Sequence, residues 1–200
     1  MARIAPAPPE VYVPLLGEDA PLVMRVHARA TQPERAAILG AFFQTWMQET
    51  VTLSPRLVEL VRLRIAFHNQ CRSCMAMRYG SGAAAGVDEN LVCSLERPEE
   101  AEGLSEAERA ALAYAELMAT DHLAITDATY DGLRAHFTDG EIVELGQVAA
   151  FCVGFGRLDC TWDLRDDLPA HFRDHGPASG GEIVTPWGGD GVVAVGAMTR

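Results

Sequence analysis

The stretch from residue 54 to residue 74 reads Ser54-Pro-Arg-Leu-Val-Glu-Leu-Val-Arg-Leu-Arg-Ile-Ala-Phe-His-Asn-Gln-Cys-Arg-Ser-Cys74. Serine is a preferred N-cap and proline is tolerated at the first helical position, so Ser54-Pro55 marks a helix start. Apolar residues on several faces between Arg56 and about Asn69 predict a largely buried helix. A break at Asn69-Gln70 separates this helix from a second one, which begins with two cysteines spaced as Cys-x-x-Cys.

Capping signals and hydrophobic periodicity predict further helices on both sides of this stretch, and the fold class predicted is all-α. Two capping boxes, at Ser105 and Thr138, are the clearest of these signals. A surface loop is expected at Glu96–Gly103. The predicted helices cover roughly 21–30, 33–50, Cys71 to Ala85 with Gly86 as the stop, Asp88 to Leu95, Ser105 to Thr120, Thr126 to His136, and Thr138 towards Leu164.

The chain divides by composition into three segments. Residues 1–20, rich in proline and acidic side chains, are predicted to form an N-terminal arm, and residues 21–172 to form the helical domain. Residues 173–200 form an irregular tail rich in glycine. Within that tail, Glu182–Thr185 and Val192–Val195 are predicted to pair as a small hairpin.

Composition bounds the class of protein. The 200 residues, 48% hydrophobic and 22% charged, suit one globular domain with a sizeable core. The formal net charge of −12 repels phosphate backbones and anionic lipid, so neither nucleic acid nor membrane is a predicted partner. The first residues lack the continuous apolar run of a signal peptide, which predicts a cytoplasmic protein.

The pair Cys71 and Cys74 is the cluster with an evident chemistry. A helix N-terminus favours the nucleophilic thiolate, and Arg72 and Arg78 add positive charge. Such a pair attacks a peroxide or a disulfide and then closes to an intramolecular disulfide. The alternatives are two buried thiols, or half of a zinc site completed by His68 and Cys93, although the sequence has no second Cys-x-x-Cys. We predict no metal and no cofactor.

The remaining thiols stand alone in the sequence. Cys93, Cys152 and Cys160 each lie in an apolar stretch, which predicts inert core thiols that stay reduced.

The stretch from Ser54 to Cys74 resembles the signature of AhpD-like alkylhydroperoxidases within the carboxymuconolactone decarboxylase family. The block that begins at Leu104, the block 136–145 and the closing Gly-Phe-Gly-Arg-Leu that ends at Leu158 are similar to later parts of the family pattern. The resemblance covers roughly residues 22–165 and implies an AhpD-like helical bundle. It also implies assembly as a homo-oligomer.

The resemblance further implies a proton relay in which a glutamate and a histidine serve the two thiols. Glu59, twelve residues before Cys71, occupies the position of the relay glutamate. A carboxylate near a thiol can accept its proton, and a histidine can pass it on. The alternative for Glu59 is a helix-surface ion pair with Arg62, three residues further along.

Two departures from the family pattern affect this relay. Arg78 stands where the family peroxidases have a histidine. Ser73 stands between the two cysteines, where the best-known type of family peroxidase has a second histidine. Arginine cannot accept a proton at neutral pH, but it can stabilise a thiolate or bind an anionic group of a substrate. His68, three residues before Cys71, is the substitute candidate for the relay.

Three functions remain open on these grounds. The first is a thiol-dependent oxidoreductase that takes a hydroperoxide or a disulfide as substrate and draws electrons from an unidentified thiol donor. The second is a lyase like the lactone-decarboxylating branch of the family, against which the intact cysteine pair counts. The third is a non-catalytic member that keeps the fold. Which of Cys71 and Cys74 attacks first also stays open.

Overall fold

The computed structural model describes residues 2–49, 51–95, 97–98, 101–168 and 193–195. A π-helical turn, Thr45–Glu49, extends the third helix, and a 3-10 turn, His122–Ala124, follows the eighth. The prediction of a predominantly helical fold is confirmed. In chain order the α-helices are α1 (Pro9–Leu16), α2 (Leu22–His27), α3 (Glu34–Gln44), α4 (Pro55–Asn69), α5 (Arg72–Ala76), α6 (Gly80–Ala84), α7 (Glu89–Ser94), α8 (Glu106–Thr120), α9 (Asp127–Arg134) and α10 (Asp139–Thr161).

Helix α4 lies at the centre of the core. It packs against both α8 and α10, and Leu60, Leu63 and Ile65 have no exposed surface. Full burial of an aliphatic side chain contributes about 1.5–3 kcal/mol, so this helix supplies a large part of the hydrophobic stabilisation. The predicted buried helix is confirmed, and it gives the cysteine pair that follows it a rigid support.

The helix starts predicted from capping signals are confirmed. Ser54 accepts a hydrogen bond from the Leu57 backbone N–H at 3.2 Å. Ser105 and Thr138 each form a complete capping box. Gly86 has a φ of 86°, the left-handed conformation expected of a glycine that ends a helix. These contacts are local, which explains why the sequence alone could predict them.

The N-terminal segment differs from the predicted arm. Pro9 opens α1, and Tyr12 within that helix is buried. Together with Met24 of α2 and Ala36 of α3, Tyr12 forms a small apolar cluster of its own. One buried aromatic ring and a proline at the helix start are therefore enough to fold a stretch that composition alone described as an arm.

The prediction of one helix from Cys71 to Ala85 is wrong. Helix α5 ends at Ala76, the strand β1 (Met77–Tyr79) follows, and the chain resumes helical conformation only in α6. Arg62 on α4 explains the break, because its guanidinium donates hydrogen bonds to the backbone carbonyls of Cys74 and Met77 at 2.8 and 2.7 Å. A buried partner on another helix thus outweighs the local preference for a helix.

The strand β1 pairs in parallel with β2 (Val193–Val195), with Met77 opposite Val193 and Tyr79 opposite Val195. The strand expected at the end of the tail is therefore present, but its partner is β1. The other half of the predicted hairpin, Glu182–Thr185, and the boundary at 172–173 lie outside the described residues. Within the described residues, no helix combines the length and the apolar character needed to cross a membrane.

Candidate active site

Cys71 and Cys74 form a disulfide whose Cα atoms lie 5.2 Å apart. Cys71 is the N-cap of α5, and its sulfur accepts a hydrogen bond from the Cys74 backbone N–H at 3.3 Å. The hydroxyl of Ser73 lies 3.5 Å from the same sulfur. The pair that the sequence predicted to bond is bonded, at the start of a helix as expected.

The two sulfurs differ in their access to solvent. Cys71 is 0% exposed, whereas Cys74 is half-buried and lines a cavity of about 100 Å³. An oxidant in this cavity therefore meets Cys74 and not Cys71. We call this space the inner cavity.

The inner cavity is mainly apolar and aromatic. Polar groups face it from Arg62, His27 and Asp159. Its lining suits an apolar group that is held by hydrophobic contacts and oriented by a few polar groups. The apolar wall includes Leu39, Phe43, Met77, Tyr79, Phe151 and Phe155.

Glu59 and Arg62 form a buried ion pair beneath the cavity. The Glu59 side chain is 1% exposed, and its Oε2 accepts from Arg62 Nε at 2.7 Å. Its Oε1 accepts from Arg62 Nη2 at 2.8 Å and from the Tyr79 backbone N–H at 3.0 Å. Burial alone would lower the pKa of Arg62, but the Glu59 carboxylate raises it above its ordinary value.

This geometry bears on both interpretations of Glu59. The ion pair with Arg62 is present, as the alternative held, but it is buried and not on the helix surface. Glu59 connects to the cysteine pair through Arg62, which donates to the Cys74 carbonyl. Its contacts are those of a group that fixes the backbone around Cys74.

Tyr79 packs its ring against the Arg62 guanidinium, with 4.4 Å from the guanidinium carbon to the ring centroid. The ring is buried, and burial raises the pKa of Tyr79 well above its ordinary value, so its hydroxyl stays protonated. That hydroxyl has no hydrogen-bond partner among the described residues. Tyr79 is also one of the residues that line the inner cavity.

Arg78 lies on the other face of β1 from the cavity-lining side chains of Met77 and Tyr79, as the twofold periodicity of a strand requires. Its guanidinium pairs with Glu89 at 2.8 Å and donates to the Met75 carbonyl. The cation that the sequence suggested for thiolate or anion binding thus has structural partners on the α7 side.

His68 lies towards α8, with its Nε2 3.9 Å from a carboxylate oxygen of Glu116. Burial and the charge of Arg64 lower the pKa of His68, against a smaller opposite effect of Glu116. The structure brings His68 to Glu116 and does not bring it to the inner cavity, which α4 lines through Arg62 and Ala66.

Sequence reasoning missed the histidine that does line the inner cavity. His27, on α2, bonds Asp159 of α10 through Nε2 at 3.2 Å, and both residues line the cavity with Cys74. A carboxylate only accepts, so Nε2 carries the hydrogen of this bond, and Nδ1 has no partner among the described residues. The two residues are 132 positions apart, and no local motif connects them.

The three other cysteines differ from one another. Cys152 is buried, and burial raises its pKa to about 12, which keeps it as an unreactive thiol. Cys160 is half-buried, and burial raises its pKa as well. The prediction that Cys93 lies in the core is wrong: it is exposed, because it lies on the outer face of the short helix α7.

The zinc alternative finds no support in the arrangement of side chains. Among the residues that the structure describes, no three His, Cys, Asp or Glu side chains converge on a position that could hold a metal ion. His68 is directed towards Glu116, and Cys71 is bonded to Cys74.

Residues 33–117, which include the cysteine pair and most of α8, match the profile of the carboxymuconolactone decarboxylase family. An uncharacterised protein recorded in two strains of Mycobacterium tuberculosis is 39% identical over 112 residues. The match covers 55% of this chain and 38% of the relative, so the chain spans well under half the length of the curated relatives it matches.

Solved structures show that the family's AhpD-like fold extends beyond the matched residues. A peroxidase-related protein with an alkylhydroperoxidase AhpD core, from Ralstonia eutropha JMP134, superposes with a TM-score of 0.65 at 18% identity. The superposition covers 82% of this chain and 91% of that one. A cysteine-to-alanine variant of the debrominase Bmp8 in complex with 2,3,4-tribromopyrrole gives a TM-score of 0.63 at 16% identity, over 81% and 90% of the two chains. At these identities the likeness concerns the fold.

Proposed function

We propose that the chain is a thiol-dependent oxidoreductase that reduces organic hydroperoxides at Cys74, with Cys71 as the resolving thiol. The observation that carries this proposal is the position of the two sulfurs. Cys74 lines the inner cavity, whereas Cys71 is fully buried and within bonding distance of Cys74. Access therefore favours Cys74 as the attacking thiol, a choice that the sequence left open.

The reaction consumes one hydroperoxide and both thiols. The Cys74 thiolate attacks the outer oxygen of the hydroperoxide, the O–O bond breaks, and Cys74 becomes a sulfenic acid while the alkoxide leaves. The alkoxide takes up the proton that Cys74 gave up and becomes an alcohol. The Cys71 thiol then attacks the sulfenic sulfur, forms the disulfide and releases water. A dithiol donor reduces the disulfide by exchange, which restores both thiols.

In this proposal, His27 transfers the proton and Asp159 supports it. The Nδ1 of His27 takes the proton of the Cys74 thiol and returns it to the leaving alkoxide, while Asp159 holds the ring by its Nε2 hydrogen. The unpartnered hydroxyl of Tyr79 donates a hydrogen bond to the same oxygen. Glu59 keeps Arg62 in position behind Cys74, and Ser73 contacts the Cys71 sulfur.

Thiol counting after a single addition of peroxide tests the proposal. Four proteins are compared: wild type, Cys71→Ser, Cys74→Ser and Cys93→Ser. Each is reduced, separated from the reductant and given one equivalent of cumene hydroperoxide. We expect wild type and Cys93→Ser, the exposed-thiol control, to lose two thiols each. Cys74→Ser should lose none, and Cys71→Ser should stop at a sulfenic acid that dimedone traps.

Two results would contradict the proposal. Equal peroxide consumption by Cys74→Ser and wild type would remove Cys74 from the attack. A wild-type protein that consumes no hydroperoxide would leave the lyase and the non-catalytic alternatives ahead. The family name by itself does not choose among them, because one fold carries several chemistries.

We also propose that the chain forms a homo-oligomer. Most of the aromatic residues of α3 and α10 pack together within one chain, with Phe151 and Phe155 stacked at 4.7 Å. Ile38 and Phe42, one turn apart on α3, remain 68% and 42% exposed. Exposed apolar residues of this kind on a surface helix support a contact between copies of the chain. A cytoplasmic location stays a prediction from the sequence.

A further inference from the structure

A second cavity, of about 550 Å³, adjoins the inner one. We call it the outer cavity. His27, Leu39 and Phe155 line both cavities, so a molecule that fills the outer one lies against the side chains that bound the inner one. The outer cavity is framed by α2, α3 and α10, and its lining includes Val26, Arg29, Arg35, Ala36, Leu158 and Trp162.

Two arginines of the outer cavity lack the partners that arginines have elsewhere in the chain. Arg29 and Arg35 are exposed, and neither has a side-chain hydrogen bond or ion pair with a residue in the described ranges. By contrast, Arg25 pairs with Asp167, and Arg56 pairs with Glu108 at 2.6 Å. In a chain with a net charge of −12, two such cations on one cavity form a local site for an anion.

Apart from Arg29, Arg35 and His27, the side chains that line the outer cavity are apolar. Val26, Ala36, Leu158 and Trp162 contribute hydrocarbon or aromatic surface, and Leu39 and Phe155 lie between this space and the inner cavity that Cys74 lines. An anion that suits this site therefore carries an apolar body. Burial of that body contributes about 25 cal/mol per Å², which makes the chain length of the ligand matter.

We propose that the preferred substrate is the hydroperoxide of a medium- or long-chain carboxylic acid. Its carboxylate lies at Arg29 and Arg35, its hydrocarbon chain fills the outer cavity, and its hydroperoxide reaches Cys74. This inference rests on the proposed function and names the substrate class of the same site. One hydroperoxide and the two thiols give one hydroxy acid, one water and the Cys71–Cys74 disulfide.

The structure also reassigns the anion-binding role that the sequence gave to Arg78. Arg78 is buried and paired with Glu89, whereas Arg29 and Arg35 face a cavity and are open to a ligand. Arginine binds carboxylate with two parallel hydrogen bonds where the geometry allows. Because both arginines are exposed, we expect them together to contribute roughly 5- to 30-fold in affinity at low salt, and less as salt is added.

A comparison of two peroxides tests the substrate class. Linoleic acid hydroperoxide and its methyl ester are assayed with wild type and with Arg29→Gln/Arg35→Gln, using a dithiol as electron donor. We expect wild type to prefer the free acid through a lower KM, and the double variant to lose that preference with little change in kcat. Cumene hydroperoxide, which has no carboxylate, should be reduced equally by both proteins. Arg134→Gln removes one positive charge at an exposed arginine that lines neither cavity, and it is the control for loss of a surface charge.

A binding measurement separates this proposal from the proposed function. Octanoate and 1-octanol are titrated by calorimetry into wild type and the double variant, and no peroxide chemistry is involved. Octanoate binding that is lost in the double variant but kept in Arg134→Gln supports the anion site, whatever the peroxidase assay gives. Equal binding of octanoate by wild type and the double variant, or equal rates on acid and ester, would overturn the substrate class while leaving the chemistry at Cys74 intact.

Discussion

Two pairs of a basic and an acidic side chain lie near Cys74, and they are built differently. Glu59 and Arg62 lie three residues apart on one helix, and both are almost fully buried. His27 and Asp159 come from two helices, 132 residues apart, and both keep some exposure on the inner cavity.

The difference lies in the hydrogen-bonding capacity that each pair leaves free. The carboxylate of Glu59 accepts three hydrogen bonds, and Arg62 also donates to the Cys74 and Met77 carbonyls. The His27–Asp159 pair has one hydrogen bond between its members, and Nδ1 of His27 has no partner among the described residues. A saturated buried pair holds a backbone in place, whereas an unsaturated pair facing a cavity can exchange a proton.

The largest effect is expected from breaking the saturated pair. In Glu59→Gln the Arg62 charge stays buried without its counter-ion, so the free energy of unfolding should fall by about 3–5 kcal/mol. Urea denaturation measures this loss. Glu116→Gln is the matched control, because it removes the partner of another α4 arginine, Arg64, but is 41% exposed. This control substitution should lower the free energy of unfolding by about 1 kcal/mol or less.

The double variant Glu59→Gln/Arg62→Gln sharpens the test. If the two groups act as a pair, removing both costs less than the sum of the single losses. Additive losses would contradict the assigned role. A Glu59→Gln protein with unchanged stability but greatly reduced peroxidase activity would instead favour the proton relay that the family resemblance implies.

The next effect is expected on catalysis and not on stability. His27→Gln removes the proposed base, so peroxide reduction should slow by roughly 10²-fold or more, the scale of general acid–base catalysis. The free energy of unfolding should change less than in Glu59→Gln, since His27 and Asp159 share one hydrogen bond and keep some exposure. His68→Gln is the control, because His68 contacts Glu116 away from the cavity, and it should keep its activity. Equal losses in the two variants would remove His27 from the proton step.

The contrast between the two pairs also shows what a sequence can and cannot predict. The helix starts, the buried α4 and the cysteine pair depend on residues within four positions of one another, so local patterns identify them. The Glu59–Arg62 pair was visible as an i, i+3 spacing for the same reason. His27 and Asp159 meet only after α2 and α10 pack together, and no property of either segment indicates the other.

Two errors, the single helix from Cys71 to Ala85 and the burial of Cys93, have the same origin, and so does the placement of Arg78. The break after Ala76 depends on hydrogen bonds from Arg62, a side chain on another helix. The hydrophobic periodicity of the sequence does not indicate these bonds. Cys93 lies in an apolar stretch, but its helix is six residues long and its sulfur lies on the outer side. Arg78 follows Cys74 at the family's spacing, and the strand turns it to the opposite face from the cavity. Tertiary packing decided all three.

The smallest effect concerns the space around the saturated pair. A Cβ added at Gly82 of α6 would lie 2.6 Å from Cγ and 2.7 Å from Cβ of Glu59, closer than packed carbon atoms allow. Gly82→Ala should therefore lower the free energy of unfolding by about 1–3 kcal/mol, because Glu59 is displaced. Gly80→Ala, two residues earlier, meets no atom within 4 Å and should be neutral or slightly stabilising. Both variants are compared by urea denaturation, and the wild-type disulfide is checked in each. Equal stabilities would mean that Glu59 can move without cost, and the rigid role assigned to the Glu59–Arg62 pair would then fail.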